Sequence, residues 1–188
     1  KATASGVLPS GQPVVVNADG TVSVISGSSV SQAIGTAVTF NAAITNISPA
    51  ATFDSNSNKV VIAYSDGNNS NYGTAVVGTV SGTSISFGTP VVFKSANSTV
   101  AFNSATFDSN SNKVVIAFAD MGLGLSYGTA VIGTVSGTSI SFGSPVAFDS
   151  TGITAISATF DNSSNKVVIA YRHSVSPYYG HAIIGTVS

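Results

Sequence analysis

The side chains able to do chemistry are few and unevenly placed. The 188 residues include one arginine, Arg172, and two histidines, His173 and His181; all seven acidic residues are aspartate, and there is no cysteine or glutamate. Thiol nucleophiles, disulfides, cysteine-bound zinc and iron–sulfur clusters are excluded by composition. Two histidines cannot build a His-rich metal cage. Glycoside hydrolysis needs two opposed carboxylates. Asp66 and Asp120 match in their local sequence, but the third matching position holds His173. Asp54-x-Asn56-x-Asn58 and Asp108-x-Asn110-x-Asn112 begin like a calcium loop. They lack its sixth-position glycine and its later glutamate, and Asp161-Asn162-Ser163-Ser164-Asn165 breaks the spacing. A turn in which the aspartate bonds its own backbone is the expected structure. No catalytic residue, metal or cofactor is expected.

Recognition chemistry remains. Arg172 offers a planar donor fork, His173 a titratable ring, and Tyr178 and Tyr179 two flat apolar faces. Tyr72 and Tyr127 could stack on a sugar ring or anchor a protein interface. Asp66, Asn69 and Asp120 could hydrogen-bond hydroxyls. Tyr72, Tyr127 and Tyr179 occupy equivalent places in a repeat, so packing at strand ends competes with binding there. Arg172, His173 and Tyr178 have no counterpart in the other copies.

The repeat dictates what positions these groups. Ala51-Thr52-Phe53-Asp54 opens a block ending KVVIAY, and the block returns at 105 and 158, a period of 53 to 54 residues. A second block, YGTAVVGTVSGTSISFGTPVVF from Tyr72, recurs from Tyr127 and again, shortened, from Tyr179 to Ser188. Period-2 alternation and Val, Ile, Thr, Phe and Tyr enrichment predict four short strands per copy. They run as an ATFD strand, Lys59–Asp66, Tyr72–Val80 and Ser84–Phe93. No stretch has a helical period.

Four strands repeating at this length predict an all-β chain of β-propeller-like, four-stranded antiparallel blades. Blades are expected at 48–93 and 102–148, with a partial blade at 156–188. Residues 33–40, AIGTAVTF, align with strand four through Gly35 and Gly88, and Phe40 and Phe93. A spare fourth strand therefore precedes the repeats, and a fourth strand is lacking after the last. About three blades cannot surround an axis, so closure by strand exchange or oligomerisation is expected. A sandwich or solenoid is the alternative architecture. Residues 1–29 stand apart from the domain at 30–188. Pro13–Val16 and Thr21–Ile25 read as a hairpin or attachment segment around Gly20.

The copies differ unevenly. SNSN, SNSN and NSSN join strands one and two, and SGTS joins strands three and four. The loops at 65–71, 119–126 and 172–178 differ sharply, as do the connections from strand four to the next strand one. An up-and-down blade puts the constant turns at one end and the variable loops at the other. Diversified loops on a fixed scaffold suit binding.

The long motifs KVVIAY, YGTAVVGTVSGTSISFG and LPSGQPVVVNADGTVSVI resemble repeat proteins encoded by marine bacteriophages, including tail-fibre-like and other virion-associated proteins. The resemblance covers most of the chain. It implies a non-enzymatic virion or extracellular protein, a tail-fibre or capsid-surface component. The implied partners are a host surface glycan, other virion proteins or further copies of the chain. A purely structural decoration module and a free propeller lectin are the alternatives. The blade also loosely resembles those of sialidases, but such an enzyme needs an arginine cluster and a glutamate.

Only 7% of residues are charged and the formal charge is −1, against about 25% charged in an average domain. That excludes the basic footprint nucleic acid requires. Apolar residues reach 43% and mean hydropathy is +0.39, enough to bury a core. No apolar run approaches the ~18 residues of a membrane helix, and no membrane insertion is expected. With Lys1 first and Met121 the sole methionine, a processed product or a piece of a longer chain is expected.

Overall fold

The computed structural model describes residues 3–4, 7, 14–24, 33–42, 49–95, 100–123 and 125–187. The chain divides into two compact units, Lys1–Ile34 and Gly35–Ser188. Among the described residues it is all-β, and one 3₁₀ turn at Met121–Leu123 is its only helical element.

In the first unit, β2 (Val14–Val16) and β3 (Thr21–Val24) form the expected hairpin. Gly20 sits at φ 83° in the turn, a left-handed conformation that glycine adopts at no steric cost. Asp19 Oδ1 accepts both the N–H and the hydroxyl of Thr21, at 2.9 and 2.7 Å, which fixes the far side of the turn. One strand was not expected from the sequence: β1 (Thr3–Ala4) pairs in parallel with β3.

The second unit holds three antiparallel sheets. The first runs β4 (Ala50–Asp54), β5 (Lys59–Asp66) and β6 (Tyr72–Ser81), with β7 (Ser84–Phe87) and β8 (Val91–Lys94) both on the outer side of β6. The second repeats this with β9 (Val100–Asp108), β10 (Lys113–Asp120), β11 (Tyr127–Ser136), β12 (Ser139–Phe142) and β13 (Val146–Asp149). The third has β14 (Ile153–Asp161), β15 (Lys166–His173) and β16 (Gly180–Gly185).

The expected single fourth strand is thus two strands. β7 pairs the far half of β6 and β8 the near half, with Gly88-Thr89-Pro90 between them. Proline has no N–H for the ladder and is confined to edges and breaks. Residues 33–39 form no strand among the described residues.

The turns follow from their residues. Asp54 Oδ1 accepts the N–H groups of Asn56 and Ser57, and Asp108 and Asp161 repeat the arrangement in their own turns. Asn58, Asn112 and Asn165 close these turns at φ 54–56°, which asparagine tolerates. Gly82 and Gly137 supply positive φ at the first position of two-residue hairpins, the φ sign of a type II′ turn.

Successive sheets stack face to face. Val61, Ala63, Ala75, Val77 and Phe93 of the first bury against Val114, Ile116, Phe118, Val131 and Ile140 of the second. Ala101, Val115, Ala117 and Ala119 bury against Ile153, Val167, Ile169 and Tyr171 of the third. Neighbours along β10 thus serve opposite cores, as strand alternation requires. β9 lies beside both β4 and β14, and Ser104 Oγ accepts the N–H of Ala158 at 2.8 Å.

An aromatic seat repeats at each junction. Phe93 lies 5.3 Å from Phe118, and Phe148 lies 5.4 Å from Tyr171. Phe40 lies 5.2 Å from Tyr64. Gly35 and Gly88 press on the carbonyls of Thr83 and Thr138 so closely that neither could carry a Cβ in place. Residues 35–40 therefore lie on the first sheet as residues 88–93 lie on the second.

Gly88→Ala is expected to force the first sheet off the Ser136–Ser139 hairpin. The expected cost is about 1–3 kcal/mol, read as a lower denaturation midpoint with unchanged far-ultraviolet circular dichroism.

Candidate functional site

The variable loops of the second and third repeats meet at one end of the sheets. Ile153 N–H donates to Ser126 O at 2.7 Å, and Ser174 N–H donates to Gly152 O at 3.0 Å. This end gathers exposed apolar side chains: Met121, Leu125, Val175, Tyr178 and Tyr179 are 46–64% exposed. The connections at 43–48 and 96–99, also expected to vary, lie outside the described residues.

In the third loop, His173 N–H donates to Tyr179 O and Tyr178 N–H to Val175 O. Tyr178 is held at φ 59°, uncommon for a bulky residue and a sign of local constraint. The Arg172 guanidinium carbon lies 5.8 Å from the Tyr178 ring centre, within cation–π range. Arg172, Tyr178 and Tyr179 are all exposed.

The other expected site residues fall into different surroundings. Asp120 is buried, with Oδ2 2.8 Å from Lys94 Nζ and Oδ1 accepting Gly122 N–H. Asp66 Oδ1 accepts Asn68 N–H and the Asn41 amide, at 3.2 and 3.4 Å. Asn69 is exposed in the first loop, where its carbonyl accepts Tyr72 N–H. Tyr72 and Tyr127 are half-buried at the starts of β6 and β11. Among the described residues, no hydrogen bond or ring contact joins Asp66, Asn69 or Tyr72 to the Arg172–Tyr179 loop.

His173 belongs to a buried-edge cluster. Its Nε2 lies 2.9 Å from Asp149 Oδ2 and 2.9 Å from Thr151 Oγ1, and its ring stacks on His181 at 3.9 Å. Tyr171 donates its hydroxyl to Asp149 Oδ2 at 2.9 Å. Burial works to raise the Asp149 pKa. Hydrogen bonds from the Thr151 hydroxyl and N–H, His173 and Tyr171 outweigh it and hold the carboxyl well below the usual carboxylate range. The Tyr171 hydroxyl is pushed up to about 12, first by burial and then by its bond to Asp149. The Thr151 hydroxyl donates a hydrogen bond to Asp149 Oδ1, and hydroxyl and carboxylate meet the same ring nitrogen. A nucleophile–base–acid relay needs the imidazole between the other two groups, so this cluster is not one.

The three junction pairs are equivalent. Each joins the residue after a junction phenylalanine to the last residue of the next sheet's second strand: Asn41 to Asp66, Lys94 to Asp120, Asp149 to His173. The acid sits on opposite partners in the last two. Sequence reasoning placed Asp66, Asp120 and His173 among ligand contacts and passed over Asp149, Thr151 and His181. The signal was present: Lys94 and Asp120 change together to Asp149 and His173 between near-identical repeats.

Compared with known proteins, the chain matches no family model, and no curated protein is detectably similar to it in sequence.

Lys94→Ala should leave the Asp120 carboxylate buried and unpaired, costing about 2–3 kcal/mol, below the ~3–5 of a wholly buried pair because the ammonium is partly exposed. Chemical denaturation measures it. Asp149 is ionised in the unfolded chain above pH ~4, and its folded pKa is lower still. Its stabilisation is therefore full above that pH and fades as acid takes the solution down through the folded value. The stability gap between the unmodified chain and Asp149→Asn should be widest above pH ~5 and shrink below ~4. A gap that stays constant down to pH ~2 would contradict this.

Proposed function

We propose that the chain is a non-enzymatic binding module of a phage virion, a tail-fibre or capsid-surface component whose sheets are blades of a β-propeller-like array. The resemblance of its long motifs to phage virion repeat proteins supports the setting. The observation that carries the binding reading is the difference between the two ends of the sheets. One end repeats the same aspartate and glycine turns. The other presents unlike tips: it exposes Met121 and Leu125 in the second repeat, and Arg172, Val175, Tyr178 and Tyr179 in the third.

Such a tip suits a host glycan or another virion protein. Tyrosine rings stack on sugar faces or fill protein pockets at small entropic cost, and the guanidinium supplies directed donors. Asp120 and His173 act from behind as junction partners that hold the loops.

Exchanging residues 174–178 for 67–71 together with Arg172→Ser, which leaves His173 on Asp149, should preserve the fold and abolish binding on a glycan array or to purified virion proteins. Tyr178→Ala and Tyr179→Ala should each weaken binding about tenfold or more, the effect of losing ~1.4 kcal/mol or more. Binding that survives the exchange, yet is lost on altering the turns at 55–58 or 82–83, would place the site at the other end.

A further inference from the structure

The second sheet buries an amide where the other two carry apolar residues. Two positions before each ATFD block stand Pro49, Asn103 and Ile156. On β14, Ile156 packs against the core between the second and third sheets, with Ala158 and Phe160. Their equivalents on β9, Ala105 and Phe107, pack in the core between the first and second sheets. Asn103 takes the matching place there and is only 8% exposed. Among the described residues, neither its Nδ2 nor its Oδ1 has a hydrogen-bond partner. Native cores seldom leave both ends of an amide unpaired, because the desolvation is not recovered. The backbone does not impose the asparagine, since isoleucine occupies the equivalent place in the third sheet.

The ladder is irregular at the same point. β9 meets β10 through Ala101 opposite Ala119 and Ser104 opposite Ala117, so residues 102 and 103 face Phe118 alone. Such a bulge takes an extra residue out of the pairing, and its backbone groups need other partners. The surroundings are closed and uncharged. Val61, Ala63, Val100 and Phe118 are fully buried in this core. β9 lies beside β4 and β5, and segments 50–53, 60–65 and 100–107 carry no charged side chain. An amide offers two donors and an acceptor, and a buried water makes about three hydrogen bonds. A closed, neutral place with polar atoms to satisfy suits a water rather than an ion or a larger ligand.

We propose that the junction between the first and second sheets holds a buried structural water, bound by the Asn103 amide and the backbone of the β9 bulge. The water fixes the bulge and, with it, the start of β9. There Val100 N–H donates to Asn71 O at 3.3 Å, which ties the strand to the root of the first variable loop. The inference is independent of what those loops bind.

Nuclear magnetic resonance cross-relaxation between water and amide protons tests it on the whole, unmodified chain. The Asn103 side-chain protons should show a cross-peak to a long-lived water, and its absence overturns the proposal. Asn103→Ile, the side chain of the third sheet, supplies the second measurement. Removing the amide should strip the water and leave the bulge backbone unsatisfied, raising the unfolding equilibrium constant about fivefold or more. The water cross-peaks to the backbone amides of 102 and 103 should vanish as well. A variant as stable as the unmodified chain, or more stable, means the amide was simply unpaired and overturns the proposal. Lower stability with the backbone cross-peaks retained shows overpacking and overturns it too. If the variant fails to fold, the cross-peak of the unmodified chain decides.

Discussion

Everything in the sheet domain depends on how closely one sheet can approach the next. The approach is set where a phenylalanine at the end of an outer strand sits between a bare glycine on its own sheet and an aromatic ring on the following one. Phe93 does this between Gly73 and Phe118, and Phe148 between Gly128 and Tyr171. Each ring contact contributes roughly 0.5–1.5 kcal/mol beyond the area it buries. The glycines matter more for position than for energy, because a side chain there would evict the ring. Gly88 against the Thr138 carbonyl fixes the opposite end of the same junction. With both ends pinned, the small residues between them, Ala63 and Ala75, bury completely.

The polar pairs sit at the rim of these junctions, one residue beyond each phenylalanine. They link the packing to the variable loops. Asp120 holds Lys94 and the start of its own loop through Gly122. Asp149 gathers Thr151, Tyr171 and His173, tying the connection into β14 to the end of β15. The loops can thus diverge at their tips while their roots stay fixed. The exposed Arg172–Tyr178 contact lies one residue from a root and inherits its position from it.

Much of this was legible in the sequence. The bounds of β5, the aspartate turns and the left-handed Gly20 follow from local residue chemistry, and the structure reproduces them. The break of the outer strand at Gly88-Thr89-Pro90 was also written there, since proline cannot sit within a continuous ladder, but the smooth alternation of SISF and VVF hid it. β1 pairs with β3 over two residues, too short for any pattern. Among site residues, Arg172 and Tyr178 stood out because no other repeat has them. The role of Asp120 could not be read locally, since its partner Lys94 is remote in sequence and adjacent only after the sheets stack. Met121, Leu125 and Val175 fall in the variable loops, but stacking and hydrogen-bonding chemistry alone does not pick them out.

The inverted junction pairs bear on how a chain built from near copies folds in the right order. Repeats this alike invite shuffled stacking, within one chain or between chains during synthesis. The hydrophobic faces alone would scarcely object, because each resembles the others. The rim does object. Asp149 placed against Asp120 would set two carboxylates together, and Lys94 against a protonated His173 would set two cations together. Like charges at such range cost several kcal/mol out of water. The rim thus keeps the third sheet's junction from being exchanged with the second's, and near-identical parts acquire part of a sequence of assembly.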